Sequence, residues 1–252
     1  VIIGQEHVLR ELNYILPEIK RGKNENLLFR SPSGYGKTTL GLDCCVRINA
    51  LESEYVLPKG GNVILNFKFR IHFIDECHEI RVPEELYPLM DSKKYSFIFA
   101  TNEVAELKEP LVNRCIQFFF KEYTREELLQ IAKLHLRLND DLLYEIINNC
   151  NRNPRILIKL CERVERVIHA GIKIDTTEKM KGVINEVFDV VDGLNEIHLR
   201  YLDFLRTVNS ASLDMISSAI HIDKETIKHE IEPILLYRRN IQITSRGRKI
   251  NA

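Results

Sequence analysis

The stretch Leu27-Leu28-Phe29-Arg30-Ser31-Pro32-Ser33-Gly34-Tyr35-Gly36-Lys37-Thr38-Thr39 decides how this chain is read. A short strand-like run passes through two glycines into a lysine, two threonines and a helical pattern. Gly34 and Gly36 let backbone N–H groups close around phosphate oxygens at a helix N-terminus. Lys37 is placed to reach β- and γ-phosphates, and Thr38 offers its hydroxyl to Mg²⁺. The full pattern G-x-x-x-x-G-K-[ST] begins with glycine, where this chain has Ser31. Gly34, Tyr35, Gly36, Lys37, Thr38 and Thr39 are the expected nucleotide-binding set, with ATP and Mg²⁺ as ligands. A glycine-rich turn with no ligand is the plainer alternative, and a Gly-Lys-Thr-Thr at a helix start speaks against it.

Downstream, Ile71-His72-Phe73-Ile74-Asp75-Glu76 is an apolar strand ending in two carboxylates, a Walker B arrangement. Asp75 is expected to hold Mg²⁺ through water, and Glu76 to polarise the attacking water. Two acids at a strand end could simply start a solvated loop; downstream of Lys37 they become specific. Ser96 to Thr101 is a further strand ending in Asn102, placed to orient water or read the γ-phosphate. His72, Cys77 and His78 lack a zinc spacing, so a packed histidine and a structural thiol are expected.

From Val1 to about Lys121, β-like runs at Asn26–Arg30, Ile71–Asp75, Ser96–Thr101 and Cys115–Phe120 alternate with helical patterns. Strands apolar on both faces predict an α/β module with a largely parallel sheet. After Lys121 the pattern is helical. Thr124-x-x-Glu127 is a capping box opening an amphipathic helix. Further helices are expected over 140–149, from Asn153-Pro154 to near Gly171, and over 177–188. From Asp192 the helical runs are 193–208, 213–219 and 224–236. Strands 241–244 and 249–250 then flank Ser245-Arg246-Gly247-Arg248. Helices followed by a hairpin give the order of a winged helix. The expected domains are therefore 1–121, 122–190 and 191–252.

Lys and Arg balance Asp and Glu at 36 each, so any nucleic-acid contact must come from a local patch. Arg238, Arg239, Arg246, Arg248 and Lys249 form one, with no acidic residue between Tyr237 and Ala252. It falls on the expected wing. The six cysteines show no C-x-x-C spacing and suit a reducing compartment. No apolar run approaches the ~18 residues of a membrane span. No leader is visible at Val1-Ile2-Ile3-Gly4, and a soluble, cytoplasmic protein is expected.

These motifs, in this order, resemble the RuvB family of AAA+ ATPases over nearly the whole chain. The resemblance is carried by Ile3-Gly4-Gln5, by Phe73-Ile74-Asp75-Glu76-Cys77-His78 and by Asn153-Pro154-Arg155-Ile156. Gly193-Leu194-Asn195-Glu196, Glu232-Pro233-Ile234-Leu235-Leu236 and Thr244-Ser245-Arg246-Gly247-Arg248 add to it. It implies a P-loop AAA+ module, a small helical lid and a winged helix, forming a hexameric ring. Such a ring hydrolyses ATP while pulling duplex or branched DNA, as in branch migration of Holliday junctions. It also implies that Ile3 lies at the adenine pocket, that Arg114 is an arginine finger and that Arg155 is a second sensor. Arg246 and Arg248 would lie near the DNA backbone.

Two departures stand out. The family carries a long hairpin before the Asn102 strand that docks RuvA; here only Ser92-Lys93-Lys94 separates Asp91 from Tyr95, so RuvA docking of the usual kind is not expected. Ala100-Thr101-Asn102 and Asn113-Arg114-Cys115 look more like clamp-loader subunits. A clamp-loader-like ATPase and an ATP-switched DNA-binding initiator or adaptor remain as alternatives.

Overall fold

Leu27, Leu28, Phe29, Ile71, Phe73, Ile74, Phe97, Ile98, Phe99 and Ala100 are all withdrawn from water. Runs so apolar on both faces can only be strands covered on either side. A computed structural model describes residues 2–251; Val1 and Ala252, the outermost residues of the first and last expected domains, lie outside the described residues.

The first unit runs α1 (Glu6–Lys20), β1 (Leu27–Arg30), α2 (Lys37–Asn49), β2 (Ser53–Val56), β3 (Ile71–Ile74) and α3 (Tyr87–Asp91). It continues with β4 (Ser96–Thr101), α4 (Glu109–Val112) and β5 (Ile116–Phe119), then enters α5 (Arg125–His135). The strands form one sheet in the order β2-β3-β4-β1-β5, all pairs parallel. Sequence patterning had no signal for β2: Ser53-Glu54-Tyr55-Val56 is a half-exposed edge strand and lacks an apolar run. His72 is fully buried, with its ring against Tyr95 and Phe97 and Nδ1 2.6 Å from Glu54 Oε1, and Cys77 packs in the core. The Thr124 box forms as expected: Thr124 N–H donates to Glu127 Oε2 at 2.7 Å and Glu127 N–H to Thr124 Oγ1 at 3.2 Å.

By its contacts the chain divides into residues 1–131 with 152–156, and residues 132–151 with 157–252. The second unit holds the end of α5, α6 (Asp140–Asn148), most of α7 (Pro154–His169) and α8 (Thr177–Gly182), which runs on into a π turn. Then come β6 (Val190–Val191), β7 (Leu194–Asn195), α9 (Glu196–Thr207) and α10 (Leu213–Ile220). α11 (Lys224–Thr226) continues through a π segment at Ile227–Ile231 into α12 (Glu232–Tyr237), and β8 (Ile241–Thr244) pairs antiparallel with β9 (Gly247–Ile250). Leu194, Tyr201, Leu205, Ile216, Ile227, Ile231, Leu235 and Ile241 share one core.

The helix expected from Gly193 begins later, at Glu196. Asp192 (φ +48°) and Gly193 (φ +72°) make a tight turn between β6 and β7. Asp-Gly favours a two-residue hairpin because both turn positions need positive φ. Asn195 then caps α9.

The wing is tied back by backbone bonds between Ala211 and Arg248, at 3.0 and 2.8 Å. Gly247 is required there: its φ is +119°, and a Cβ would run into the Ala211 carbonyl. Arg248 differs from expectation. Its Nε donates to Glu232 Oε1 at 2.7 Å and its Nη2 to Glu232 Oε2 at 3.3 Å, while Tyr201 Oη donates to Glu232 Oε1 at 2.8 Å. Glu232 is 3% exposed, and a carboxylate so buried needs both partners. Arg248 is therefore an internal counter-ion, and Arg246, exposed at the hairpin tip, is left as the expected DNA contact.

Arg248→Ala should lower the unfolding free energy by about 3 kcal/mol, the usual cost of stranding a buried charge. Urea titration checks this, and a loss under ~1 kcal/mol would return Arg248 to the surface class.

Candidate nucleotide site and candidate DNA interface

β4 lies between β1 and β3, so Ser31, Asn102 and Asp75 leave the sheet side by side at its carboxyl edge. That edge is where open α/β sheets collect ligands. Gly34 (φ +86°) and Gly36 (φ +89°) bend the loop through left-handed conformations before Lys37 opens α2.

Lys37 is buried, and its Nζ donates to Ser31 O at 2.9 Å, Pro32 O at 3.0 Å and Ser31 Oγ at 3.2 Å. Burial pushes its ammonium down to about 8, against the upward pull of Glu76 and Asp75. Ser31, standing where the motif has glycine, donates its hydroxyl to Pro32 O at 2.9 Å and accepts from Lys37. The loop thus absorbs the larger residue within its own hydrogen bonds.

Thr38 Oγ1 donates to Asp75 Oδ2 at 2.7 Å, and Tyr55 Oη donates to the same oxygen at 3.3 Å. Glu76 N–H donates to Asp75 Oδ1 at 3.0 Å. Burial, and then Asp75, push the Tyr55 hydroxyl up to about 12. Glu76 itself sits at φ +49°, a conformation that non-glycine residues seldom adopt and that clusters at functional sites. Burial, then Asp75, pushes its carboxyl above the usual range. His78 Nδ1 lies 3.6 Å from Glu76 Oε2 and 3.2 Å from Thr101 Oγ1.

Among the described residues, Glu76 Oε2 and Asn102 Oδ1 are buried without a hydrogen-bond partner. Such groups each cost about 1–3 kcal/mol unless a ligand or water meets them. Anionic phosphates, a hard cation and a water suit this donor set: an ammonium, a hydroxyl, carboxylates and an amide.

Arg155, at the start of α7, donates from Nη1 to Ser33 Oγ at 3.0 Å. The chain start joins the same region. Gln5 Nε2 donates to Lys121 O at 2.7 Å and Gln5 Oε1 accepts from Lys121 N–H at 2.8 Å. Tyr123 packs on Gly4 and donates from Oη to Tyr35 O at 3.0 Å, bringing the Ile3-Gly4 segment to the loop. Thr39 faces outward. Arg114 is held elsewhere: Nε and Nη2 grip Asp91 at 2.9 and 3.1 Å, Nη1 donates to Pro110 O, and the guanidinium lies 4.5 Å over the Tyr87 ring. In the second unit, Arg238 bonds Asn151 at 2.8 Å, leaving Arg239, Arg246 and Lys249 exposed.

Tyr55, Tyr123 and Asn153 also stand at this site, Asn153 through Nδ2 on Ser33 O, and spacing alone assigns none of them a part in it. Tyr55 lies on the unrecognised edge strand. Tyr123 and Asn153 precede helix starts whose caps were legible, which is the signal that could have singled them out.

A profile of the RuvB C-terminal winged helix domain matches residues 191–252. A Holliday junction branch migration complex subunit RuvB from Campylobacter jejuni is 30% identical, covering 99% of this chain and 87% of its own. The chain belongs to the RuvB family. A RuvB from Mesomycoplasma hyopneumoniae is 28% identical over 98% of this chain and 91% of its own length. The solved Thermotoga maritima RuvB Holliday junction branch migration motor superposes with a TM-score of 0.84 at 25% identity, covering 99% of this chain and 92% of that one. The fold is thus the RuvB one: an AAA+ α/β module, a helical lid and a winged helix. As a RuvB-family protein the chain is an ATPase and binds nucleotide. The Mesomycoplasma alignment runs to 296 positions against 252 residues here, so that RuvB carries segments this chain lacks.

Lys37→Ala removes the buried ammonium and should abolish nucleotide binding by fluorescence titration. Retained micromolar affinity would move the phosphate site away from this loop.

Proposed function

We propose that this chain is a RuvB-type motor that spends ATP to drive branch migration on duplex or four-way-junction DNA, working as a homo-oligomeric ring, with a hexamer expected. The observation that carries this reading is the convergence of Lys37, Thr38, Asp75, Glu76 and Asn102 on one sheet edge of a chain that also carries a winged helix with a basic wing.

In this reading Lys37 and the N–H groups of the Gly34–Thr39 loop bind the β- and γ-phosphates, and Ile3, Gly4, Tyr35 and Tyr123 border the adenine side. Thr38 and Asp75 would hold Mg²⁺, which supplies charge neutralisation on the phosphates. Glu76 accepts the proton of the water whose oxygen attacks the γ-phosphorus, as the bond to the departing ADP oxygen breaks. Its raised proton affinity suits that task. Asn102 orients the same water. Arg155 from the lid start, and Arg114 from a neighbouring subunit, stabilise charge that develops in transfer. Asp91 and Tyr87 hold the Arg114 guanidinium in one orientation, as a finger acting across a boundary requires.

On the DNA side, Arg246 touches phosphate and grips without reading sequence. Only Ser92 to Tyr95 joins α3 to β4, so a partner of the RuvA kind would have to dock on some other surface. Among the described residues no helix is long and apolar enough to cross a membrane. Kinship with RuvB is what supports a cytoplasmic location, beside the DNA it would act on.

Glu76→Gln should bind ATP with parent affinity while turnover falls at least a hundredfold, as expected for loss of a general base. Turnover at the parent rate sinks that assignment. Arg114→Ala should bind ATP normally and hydrolyse it poorly, with activity restored when its subunits are mixed with Glu76→Gln subunits; a fully active Arg114→Ala monomer would refute the finger. Arg246→Ala should weaken duplex binding and flatten the log–log salt dependence by about one unit, the value of one phosphate contact. An unchanged slope takes the wing off the DNA.

A further inference from the structure

Asn153 lies just ahead of Arg155, where a residue is needed only to start a helix, yet it does more than that. Its Oδ1 accepts from the N–H of Arg155 at 2.9 Å and of Ile156 at 3.4 Å, which caps α7. Its Nδ2 donates to Ser33 O at 2.9 Å, in the middle of the phosphate loop. The same amide fills the space over Gly34, so closely that a Cβ on residue 34 would collide with it. Arg155 adds a bond from Nη1 to Ser33 Oγ at 3.0 Å. The first turn of α7 is therefore fastened to one peptide unit of the loop, Ser33–Gly34.

A peptide unit is planar and trans, so its carbonyl and the following N–H point in opposite directions. Holding the Ser33 carbonyl on Asn153 fixes the Gly34 N–H to point away from Asn153. A glycine at positive φ has the greatest backbone freedom of any residue and loses most on being fixed; an external hydrogen bond at that place removes the freedom in advance. We infer that Asn153 is a positioning residue for nucleotide binding and hydrolysis, its amide orienting the Ser33–Gly34 peptide while capping the helix that carries Arg155. The inference rests on the nucleotide-site reading proposed above. It assigns to Asn153 a task that a simple cap does not have: a cap needs only Oδ1, whereas the loop contact needs Nδ2.

Those two atoms can be separated. Serine and aspartate both accept helix N–H groups at an N-cap. Aspartate has no donor, and the serine hydroxyl is too short to cap α7 and reach Ser33 O at once. Full-chain Asn153→Ser, Asn153→Asp and Lys37→Ala are compared with the parent by melting temperature, by titration with fluorescent ADP and ATP, and by steady-state ATPase rates. Asn153→Ser should melt with the parent yet bind nucleotide about tenfold more weakly, the scale of one hydrogen bond to a charged group, and its kcat should fall because the Ser33–Gly34 peptide is no longer held by Nδ2. Parent-like affinity and kcat in Asn153→Ser would reduce Asn153 to a cap and overturn the inference. Should Asn153→Ser melt early, Asn153→Asp, which keeps the cap, takes its place with the same two outcomes, its affinity read at high salt so that the added charge is screened. Lys37→Ala separates the levels. Lost binding there with parent-like Asn153→Ser overturns this inference alone, and retained binding in Lys37→Ala overturns the site and the inference together.

Discussion

The 2.7 Å hydrogen bond from Thr38 to Asp75 is the contact on which the site depends. It joins the helix that follows β1 to the end of β3, two strands that are not neighbours. One strand, β4, separates them. Adjacent strands lie about 4.8 Å apart, so β1 and β3 are roughly 10 Å apart. The turn of the phosphate loop and the first residues of α2 span that gap. A β3 further than one strand from β1 would carry the carboxylates out of reach of Lys37 and Thr38. Parallel pairing matters equally, because it puts the carboxyl ends of all three strands, and hence Ser31, Asn102 and Asp75, at the same edge.

That dependence explains which parts were legible in sequence. Lys37, Thr38, Asp75, Glu76 and Asn102 are each recognisable because each follows a buried, apolar strand, and buried strands announce themselves by composition. The edge strand β2 does not, since one of its faces meets water and Tyr55 stands half exposed. Tyr55 is nevertheless a hydrogen-bond partner of Asp75, brought there by register: Tyr55 pairs with Phe73, two residues before Asp75. Register is a property of two strands together and cannot be seen in either alone. The turn at Asp192-Gly193 is a different kind of miss. Its dipeptide is a hairpin signal, but the apolar spacing that follows continues a helical period and masks the turn.

Charged residues show the same limit more sharply. The sequence lists cations without their partners. Arg248 lies in the basic run of the tail, and a run of that kind reads as a surface. Glu232, sixteen positions earlier, is buried by the packing of α12, and a buried carboxylate must draw in a cation. Burial of the acid, which depends on the whole second core, thus decides the role of the arginine. Arg114 is the converse case. It stays at the surface, yet Asp91, Tyr87 and the Pro110 carbonyl fix its guanidinium from three sides. A side chain with many rotamers, held at rest in one orientation, loses less entropy when it engages a phosphate than one that is free.

The neutral composition then has a mechanical meaning. A chain with as many acids as bases has no general field with which to hold DNA. With Arg248 paired to Glu232, the exposed cations of the tail are Arg239, Arg246 and Lys249. In the proposed ring, linked contacts would act at high effective concentration and their affinities would compound. Weak individual grips are also what a translocating motor requires, since each must let go within one turnover while the others hold. In this light the Arg248–Glu232 pair does two things at once. It stabilises the base of the wing, and it engages the Arg248 guanidinium within the second unit.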